Sequence, residues 1–321
     1  MRVVLYKGGR VRDYYSGEEI DFAPEPSAVT VGSYDGVHAG HRRIISQMVA
    51  SASARGLRTV VITFEPHPRK IVNRDPSGQI RLLTLLEEKA VLIEELGVDW
   101  LFVVHFDRFF AAQSSESFIQ QVLLDSIGAK TIVIGYDHGF GHDRKGGVST
   151  LRRMAEQKRF DVLVVDEVRL QAEHFSSTRI RALLGEGRIR EANLFLGAPY
   201  LISGDVVHGE KKGREIGFPT VNLRIGSSDK LLPKYGVYIA TVIIDGRVFK
   251  AMMNIGLRPT VSEGSSPLCE AHILGHKGEL YGKRLTFHLL DRVRDEMKFP
   301  SFEALQEQLK KDQKFVEQYK N

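Results

Sequence analysis

At 321 residues the chain is long enough for two ordinary domains, and an apolar fraction of 42% against 26% charged excludes a disordered chain. Its net charge of +5, from 45 Lys plus Arg against 40 Asp plus Glu, comes without a long basic stripe, so it suits a binder of phosphorylated small molecules or of nucleic acid and decides between neither. A single cysteine, Cys269, excludes an internal disulfide. With no run near the roughly 18 apolar residues of a membrane span and no apolar secretory segment in MRVVLYKGGRVRD, a cytoplasmic protein without membrane contact is expected.

Between residues 27 and 166, strand-like and helix-like runs alternate. The strand candidates are AVTVG (28–32), TVVITF (59–64), WLFVVHF (100–106), TIVIGY (131–136) and DVLVVD (161–166). They are short, β-branched and almost continuously apolar, as in strands covered on both faces. LLEEKAVLIEELG (85–97) predicts an intervening helix that stops at Gly97. Regular alternation implies a parallel sheet with helices on both faces, whose ligands lie beyond the carboxyl ends of the strands.

After residue 200 the rhythm changes. YLISGDVVHG, GVYIATVIID, RVFKAMMNIG, CEAHILG and KRLTFHLLDRVR read as strands between Gly, Pro and Asp turns, with DG at 245–246 a hairpin signal. No helical run intervenes until SFEALQEQLKKDQKFVEQY, so this half predicts a small antiparallel β-barrel with a C-terminal helix. The border is expected near GAPY (197–200), after the helical stretch STRIRALLGEGRIREANLFL. That gives a first domain over 1–185, a linker helix region over 186–199 and a barrel domain over 200–321.

VTVGSYDGVHAGH (29–41) follows the first predicted strand of the α/β half. A strand ending near Gly32 and a helix starting near His38 would aim backbone N–H groups at a bound group, and such a helix start suits phosphate. Three residues is most of a helical turn, so His38 and His41 share a face, and Gly40 between them allows close approach. The pair can donate hydrogen bonds to a phosphate whose charge grows in a transition state. Two plainer readings of H-x-x-H stand beside this one. The histidines can be ordinary surface residues, or a metal site, although HExxH is absent and no cysteine is near.

Three further motifs follow strands and so converge on one rim of a sheet. TFEPHP (63–68) carries His67, GYDHGFG (135–141) carries Asp137, and FSSTRIR (175–181) carries Ser176, Ser177, Thr178 and Arg181. Helix-start hydroxyls and a guanidinium bind phosphate well. G-x-x-x-x-G-K-[ST] is absent, so this is not a P-loop chain.

In the barrel half, HGEKKGREIGFPTVNL (208–223) puts Thr220 and Asn222 two apart on one side of an extended chain stiffened by Pro219. A hydroxyl and an amide oxygen are hard ligands suited to Mg²⁺ held with nucleotide phosphates, although a bare P-T-x-N also serves as a plain turn. Glu270, inside the otherwise apolar CEAHILG, is by itself either a salt-bridged edge residue or a general base.

Taken together these motifs carry a resemblance. VGSYDGVHAGH is similar to the G-x-F-D-G-x-H-x-G-H signature of nucleotidylyltransferases. With TFEPHP, GYDHGFG and SSTRIR it resembles the adenylyltransferase module of the bacterial bifunctional riboflavin kinase/FMN adenylyltransferase family. GREIGFPTVNL, YGVYIA, NIGLRPTV, CEAHIL, LYGK and RVRDEMKF follow in the order of that family's kinase module, so the match runs from about residue 15 to 320. The resemblance implies a Rossmann-like nucleotidylyltransferase sheet ahead of the barrel. It implies riboflavin, FMN, FAD and ATP as substrates and products, with Mg²⁺ accompanying ATP.

By the same resemblance Gly32, Asp35, Gly36, His38, His41, Ser176, Ser177, Thr178 and Arg181 hold ATP phosphates, His38 and His41 act on the α-phosphate, and His67 and Asp137 lie near the flavin. In the kinase Gly213, Gly217, Thr220 and Asn222 hold ATP, Thr220 and Asn222 hold the metal, Glu270 is the base and Arg294 lies on the flavin side. Four positions depart from the family: Tyr34 and His138 stand where Phe is usual, and Gly275 and His276 replace part of a Leu-Asp-Phe, a change expected to alter loop order near the flavin.

Two rival classes fit less well. A class I aminoacyl-tRNA synthetase would want a lysine-rich loop where SSTRIR has no lysine, and a nucleic-acid-binding barrel would show aromatics interleaved with Lys and Arg, which VYIATVIID and LISGDVV do not.

Overall fold

The structure is a computed structural model and describes residues 1–72, 80–136, 139, 147–166, 169–170, 173–209, 213, 217–257 and 267–320. The chain divides into two compact units, Met1–Ser176 and Ser177–Asn321.

In the first unit the elements run β1 (Arg2–Lys7), β2 (Arg10–Asp13), β3 (Ser27–Val31), α1 (Ala39–Arg55), β4 (Arg58–Glu65), α2 (Pro68–Val72), α3 (Leu86–Glu94), β5 (Trp100–His105), α4 (Arg108–Ala111), α5 (Ser115–Phe118, continuing as a π-helix over Ile119–Ile127), β6 (Ala129–Gly135), α6 (Val148–Lys158) and β7 (Asp161–Val165). A short two-stranded ladder, β8 (Arg169–Leu170) with β9 (Glu173–His174), follows. The sheet order is β2-β1-β5-β4-β3-β6-β7, parallel throughout except for β2. All five strands expected from the apolar runs are present. β3 is buried along its whole length, which is why its sequence does not alternate.

The hairpin β1–β2 was not among the expected strands; it turns at Gly8 and Gly9, whose φ values of 58° and 81° are the left-handed region that glycine enters without strain. The chain builds β3, β4 and β5 in one direction and then returns to lay β6 on the other side of β3. That reversal makes the crevice beyond the carboxyl end of β3 the switch point of the sheet, where open α/β folds bind ligands.

The second unit begins with two helices rather than the single helical stretch expected. α7 (Ser177–Glu186) and α8 (Ile189–Leu196) are separated at Gly187, where φ is +80° and a Cβ would press on the Arg292 side chain at 2.7 Å. Asn193 of α8 ties these helices to the strands that follow, donating to the Leu289 carbonyl (2.9 Å) and accepting from the Tyr200 amide (2.8 Å). β10 (Tyr200–Val207), β11 (Val221–Ile225), β12 (Gly236–Ile244), β13 (Arg247–Leu257), β14 (Pro267–Ile273) and β15 (Arg284–Arg294) close an antiparallel barrel in the order β10-β11-β14-β13-β12-β15. Asp245–Gly246, with φ of 48° and 76°, makes the tight hairpin its sequence announced.

α9 (Phe302–Gln318) lays Val316 into a cluster with Phe218, Val237, Ile239 and Met252. Lys250 donates to the Glu317 and Tyr319 carbonyls at its C-terminal end (2.9 and 2.7 Å).

Candidate active sites

In the first unit the turn after β3 is built from its backbone outward. Tyr34 (φ 46°), Gly36 (φ 84°) and Val37 (φ 41°) are all left-handed, an uncommon state for Tyr and a strained one for a β-branched residue. Tyr34 is buried, and its hydroxyl shares a hydrogen bond of 2.6 Å with Thr30. The hydroxyl that distinguishes it from the family's phenylalanine is therefore satisfied rather than stranded. The ring leaves Gly32 no room, since a Cβ there would stand 3.0 Å from it.

Asp35 Oδ1 accepts from the amides of Leu83 (2.8 Å) and Thr84 (3.2 Å), while the Gly36 amide donates to Thr84 Oγ1 (3.0 Å). Asp35 is thus tied to the protein's own backbone.

His38 is the N-cap of α1, its Nδ1 accepting from the His41 amide at 3.3 Å. The two imidazoles stack with centroids 3.5 Å apart and planes 14° apart, and His41 meets the Tyr34 ring edge-on. Burial drives the His38 pKa down to about 4, so the ring is neutral at neutral pH. With Nδ1 accepting, the proton sits on Nε2, which leaves an N–H to donate. Gly40 lies beside the His38 ring and Phe175, and a Cβ there would come within 3.3 Å of His38 and 3.4 Å of Phe175. The expected helix start and the shared face of the histidines are therefore both present, and Phe175, the first residue of FSSTRIR, lies beside Gly40.

His67 follows β4, the strand beside β3, and its Nδ1 accepts from the Arg69 amide at 3.2 Å. Ser176 is the last residue of the first unit; Ser177, Thr178 and Arg181 lie on α7, in the second. Asp137 and His138 lie outside the described residues.

In the second unit, strand register puts Asn222 of β11 directly opposite Glu270 of β14, and Glu270 opposite Asn254 of β13. Directly opposed residues share a face, so these three form one polar row across three strands. Asn254 was not among the expected site residues; only the register reveals it. Asn222 is 6% exposed and, among the described residues, its Oδ1 is buried with no hydrogen-bond partner.

Gly209, also unanticipated, passes so close to Asn222 that a Cβ would collide with the side-chain amide; one on Gly213 would collide with the Phe218 carbonyl and stand 3.6 Å from Thr220 Oγ1. Gly213 and Gly209 thus let the backbone close over Thr220 and Asn222. Gly217 takes φ +82° in the same segment. Such a cradle, holding an orphaned amide oxygen beside a hydroxyl, fits a hard divalent cation.

Arg294, expected on the flavin side, gives both Nε and Nη2 to Asp312 of α9 (2.9 and 2.7 Å), and Asp312 is 2% exposed. Arg294→Ala leaves that carboxylate buried, with Gln308 still donating to its Oδ1. The expected result is a loss of about 3–5 kcal/mol in the second unit, read from its denaturant midpoint. An unchanged midpoint with a raised riboflavin KM would return Arg294 to the flavin. Gly275 and His276 lie past the end of β14, five and six residues after Glu270, with the His276 ring beside Phe249.

Comparison with known proteins gives the same division. A family model described as FAD synthetase matches residues 21–179, and one described as riboflavin kinase matches 196–320. A bifunctional riboflavin kinase/FMN adenylyltransferase from Listeria monocytogenes is 37% identical over 89% of this chain and 90% of its own length. Those from Bacillus subtilis and Escherichia coli K12 are 35% and 34% identical, each over 91% of this chain and 92% of its own. Among solved structures, a macrolide-efflux protein from Streptococcus pneumoniae superposes with a TM-score of 0.86 at 29% identity, covering 100% of both chains. Among the described residues of this chain no helix is long and apolar enough to cross a membrane.

Proposed function

Because the chain belongs to the bifunctional riboflavin kinase/FMN adenylyltransferase family, we propose that the Asn222–Glu270 row carries the kinase reaction and the His38–His41 turn the adenylyl transfer. The protein phosphorylates riboflavin to FMN with ATP, then adenylylates FMN with a second ATP to give FAD and pyrophosphate. On the domain division first read from the sequence, the two reactions belong to residues 1–185 and 200–321, joined through 186–199.

In the kinase, Glu270 accepts the proton of the riboflavin 5′-hydroxyl as that oxygen bonds to the γ-phosphorus and ADP leaves. Asn254, in register with Glu270, faces the same row and helps orient the base or the hydroxyl. Thr220 and Asn222 would hold Mg²⁺, which when bound offsets the negative charge of the ATP phosphates.

In the adenylyl transfer an FMN phosphate oxygen bonds to the α-phosphorus of ATP as the bond to the bridging oxygen breaks. No protein nucleophile is needed, so the turn contributes positioning and hydrogen bonds to the growing charge. His38 donates from Nε2 as a neutral imidazole, with His41 beside it, and the glycines of the turn let the phosphates approach the start of α1. His67 and Asp137 contribute on the flavin side.

The observation that carries the kinase assignment is the buried Asn222 Oδ1, without a hydrogen-bond partner among the described residues and on the residue opposite Glu270. Asn222→Ala should raise the Mg²⁺ needed for half-maximal FMN formation by about 10- to 100-fold, with FAD formation from supplied FMN unchanged. An unaltered metal dependence would remove Asn222 from the metal site.

A further inference from the structure

We propose that Lys89 is a positioning residue for adenylyl transfer: from α3 it grips the Ser33 carbonyl and so holds the turn on which His38 and His41 are mounted. The inference rests on reading that turn as the adenylyl-transfer site.

Lys89 is 4% exposed, on the face of α3 that also buries Leu86, Ala90 and Ile93. Its Nζ donates to the Ser33 carbonyl at 2.7 Å and to Thr63 Oγ1 at 3.1 Å, and Thr63 Oγ1 in turn donates to the same carbonyl at 3.1 Å. The triangle joins α3, the end of β4 and the first residue of the turn. Desolvation offsets much of what the hydrogen bonds of a buried ammonium contribute, so global stability is a weak account of why it is there. Burial draws the Lys89 pKa below the ordinary lysine range, with the neighbouring carboxylates of Asp35 and Glu65 opposing that fall.

What the lysine does accomplish is local. Tyr34 and Val37 sit in left-handed conformations that non-glycine residues hold only when their surroundings over-determine them. The hydrogen bonds that hold this turn come largely from one segment. Leu83 and Thr84 take the Asp35 carboxylate, Thr84 takes the Gly36 amide, and Lys89 takes the Ser33 carbonyl. Lys89 is the member anchored in a helix, and the strained residues between Ser33 and His38 follow from where it sets the carbonyl.

The test is Lys89→Met in the full-length chain, with FAD formation, FMN formation and thermal unfolding measured on one preparation. A small misplacement of catalytic groups costs on the order of 10²-fold, so kcat for FAD formation should fall by about that factor while the ATP KM moves less. FMN formation should be unchanged and the variant should stay folded at the assay temperature, as read from its melting temperature. Activity lost in a folded variant is the signature a merely structural lysine would not give.

FAD formation within threefold of the parent, in a background where His41→Ala abolishes it, would overturn the role of Lys89 alone. If neither substitution matters, the reading of the turn falls with it. An equal loss of stability and activity also counts against positioning. Should Lys89→Met fail to fold, Thr63→Val removes two of the three sides of the triangle at near-constant volume and leaves only the Lys89–Ser33 bond. There kcat should drop by about tenfold, or about 1.4 kcal/mol, and an unchanged kcat overturns the proposal in the same way.

Discussion

His41→Ala should leave FMN production from riboflavin intact and reduce FAD production from FMN by about 10²- to 10³-fold, the usual consequence of removing one preorganised donor to a charged transition state. The geometry makes the variant a clean one. His41 lies in the first turn of a 17-residue helix, and the N-cap bond uses its backbone amide, which alanine retains. What is lost is the imidazole stacked on His38 and set edge-on to Tyr34. The core of the first unit, around Val29, Ile62, Phe102 and Ile132, does not include it. A folded variant that makes FAD at a near parental rate would remove His41 from the mechanism and leave the pair a structural feature of the helix start. His38→Ala removes a donor and the N-cap together, so it would confound catalysis with the roughly 1 kcal/mol a cap contributes.

How much of this was legible in the sequence depends on how local each feature is. The parallel strands announced themselves as short apolar runs, and the barrel as alternating runs with turn residues, because burial on two faces or one is written into every residue of a strand. The histidine turn was legible for the same reason, its glycines and its helix start being neighbours in the chain.

The order of the sheet was not. That β6 returns to the far side of β3 is a long-range choice, and it is what makes the histidine turn the switch point. Lys89 was invisible because a lysine in LLEEKAVLIEELG reads as a solvated helix position; only the turn folded over it shows it is buried. Asn254 and Gly209 became visible through strand register and close approach to residues 16 and 13 positions away. Arg294 carries the converse lesson: a flavin-side motif residue spends its guanidinium on Asp312, 18 residues on, as an anchor for the terminal helix.

Glu270→Gln should abolish conversion of riboflavin to FMN, by about 10²- to 10⁴-fold, and still make FAD when FMN and ATP are supplied. Glutamine keeps the size of the side chain and part of its hydrogen bonding, so the polar row from Asn222 to Asn254 stays filled while the proton acceptor is gone. The two activities should separate because each unit buries a core of its own, with His38 and His41 in the first and Glu270 in the second. The separation has to be tested in the full-length chain. A truncation after residue 185 would cut α7 one residue short of its end, remove α8, and break the bond from the Lys234 amide to the Leu184 carbonyl. The buried Ile180, Leu183 and Leu184 would then lose their partners in the second unit. Lost FAD formation in such a fragment would report unfolding of α7 rather than anything about the histidines. In the intact chain the result is unambiguous. If Glu270→Gln, verified as folded by its unfolding midpoint, loses both activities together, the two reactions share one site and the division of residues argued above is wrong.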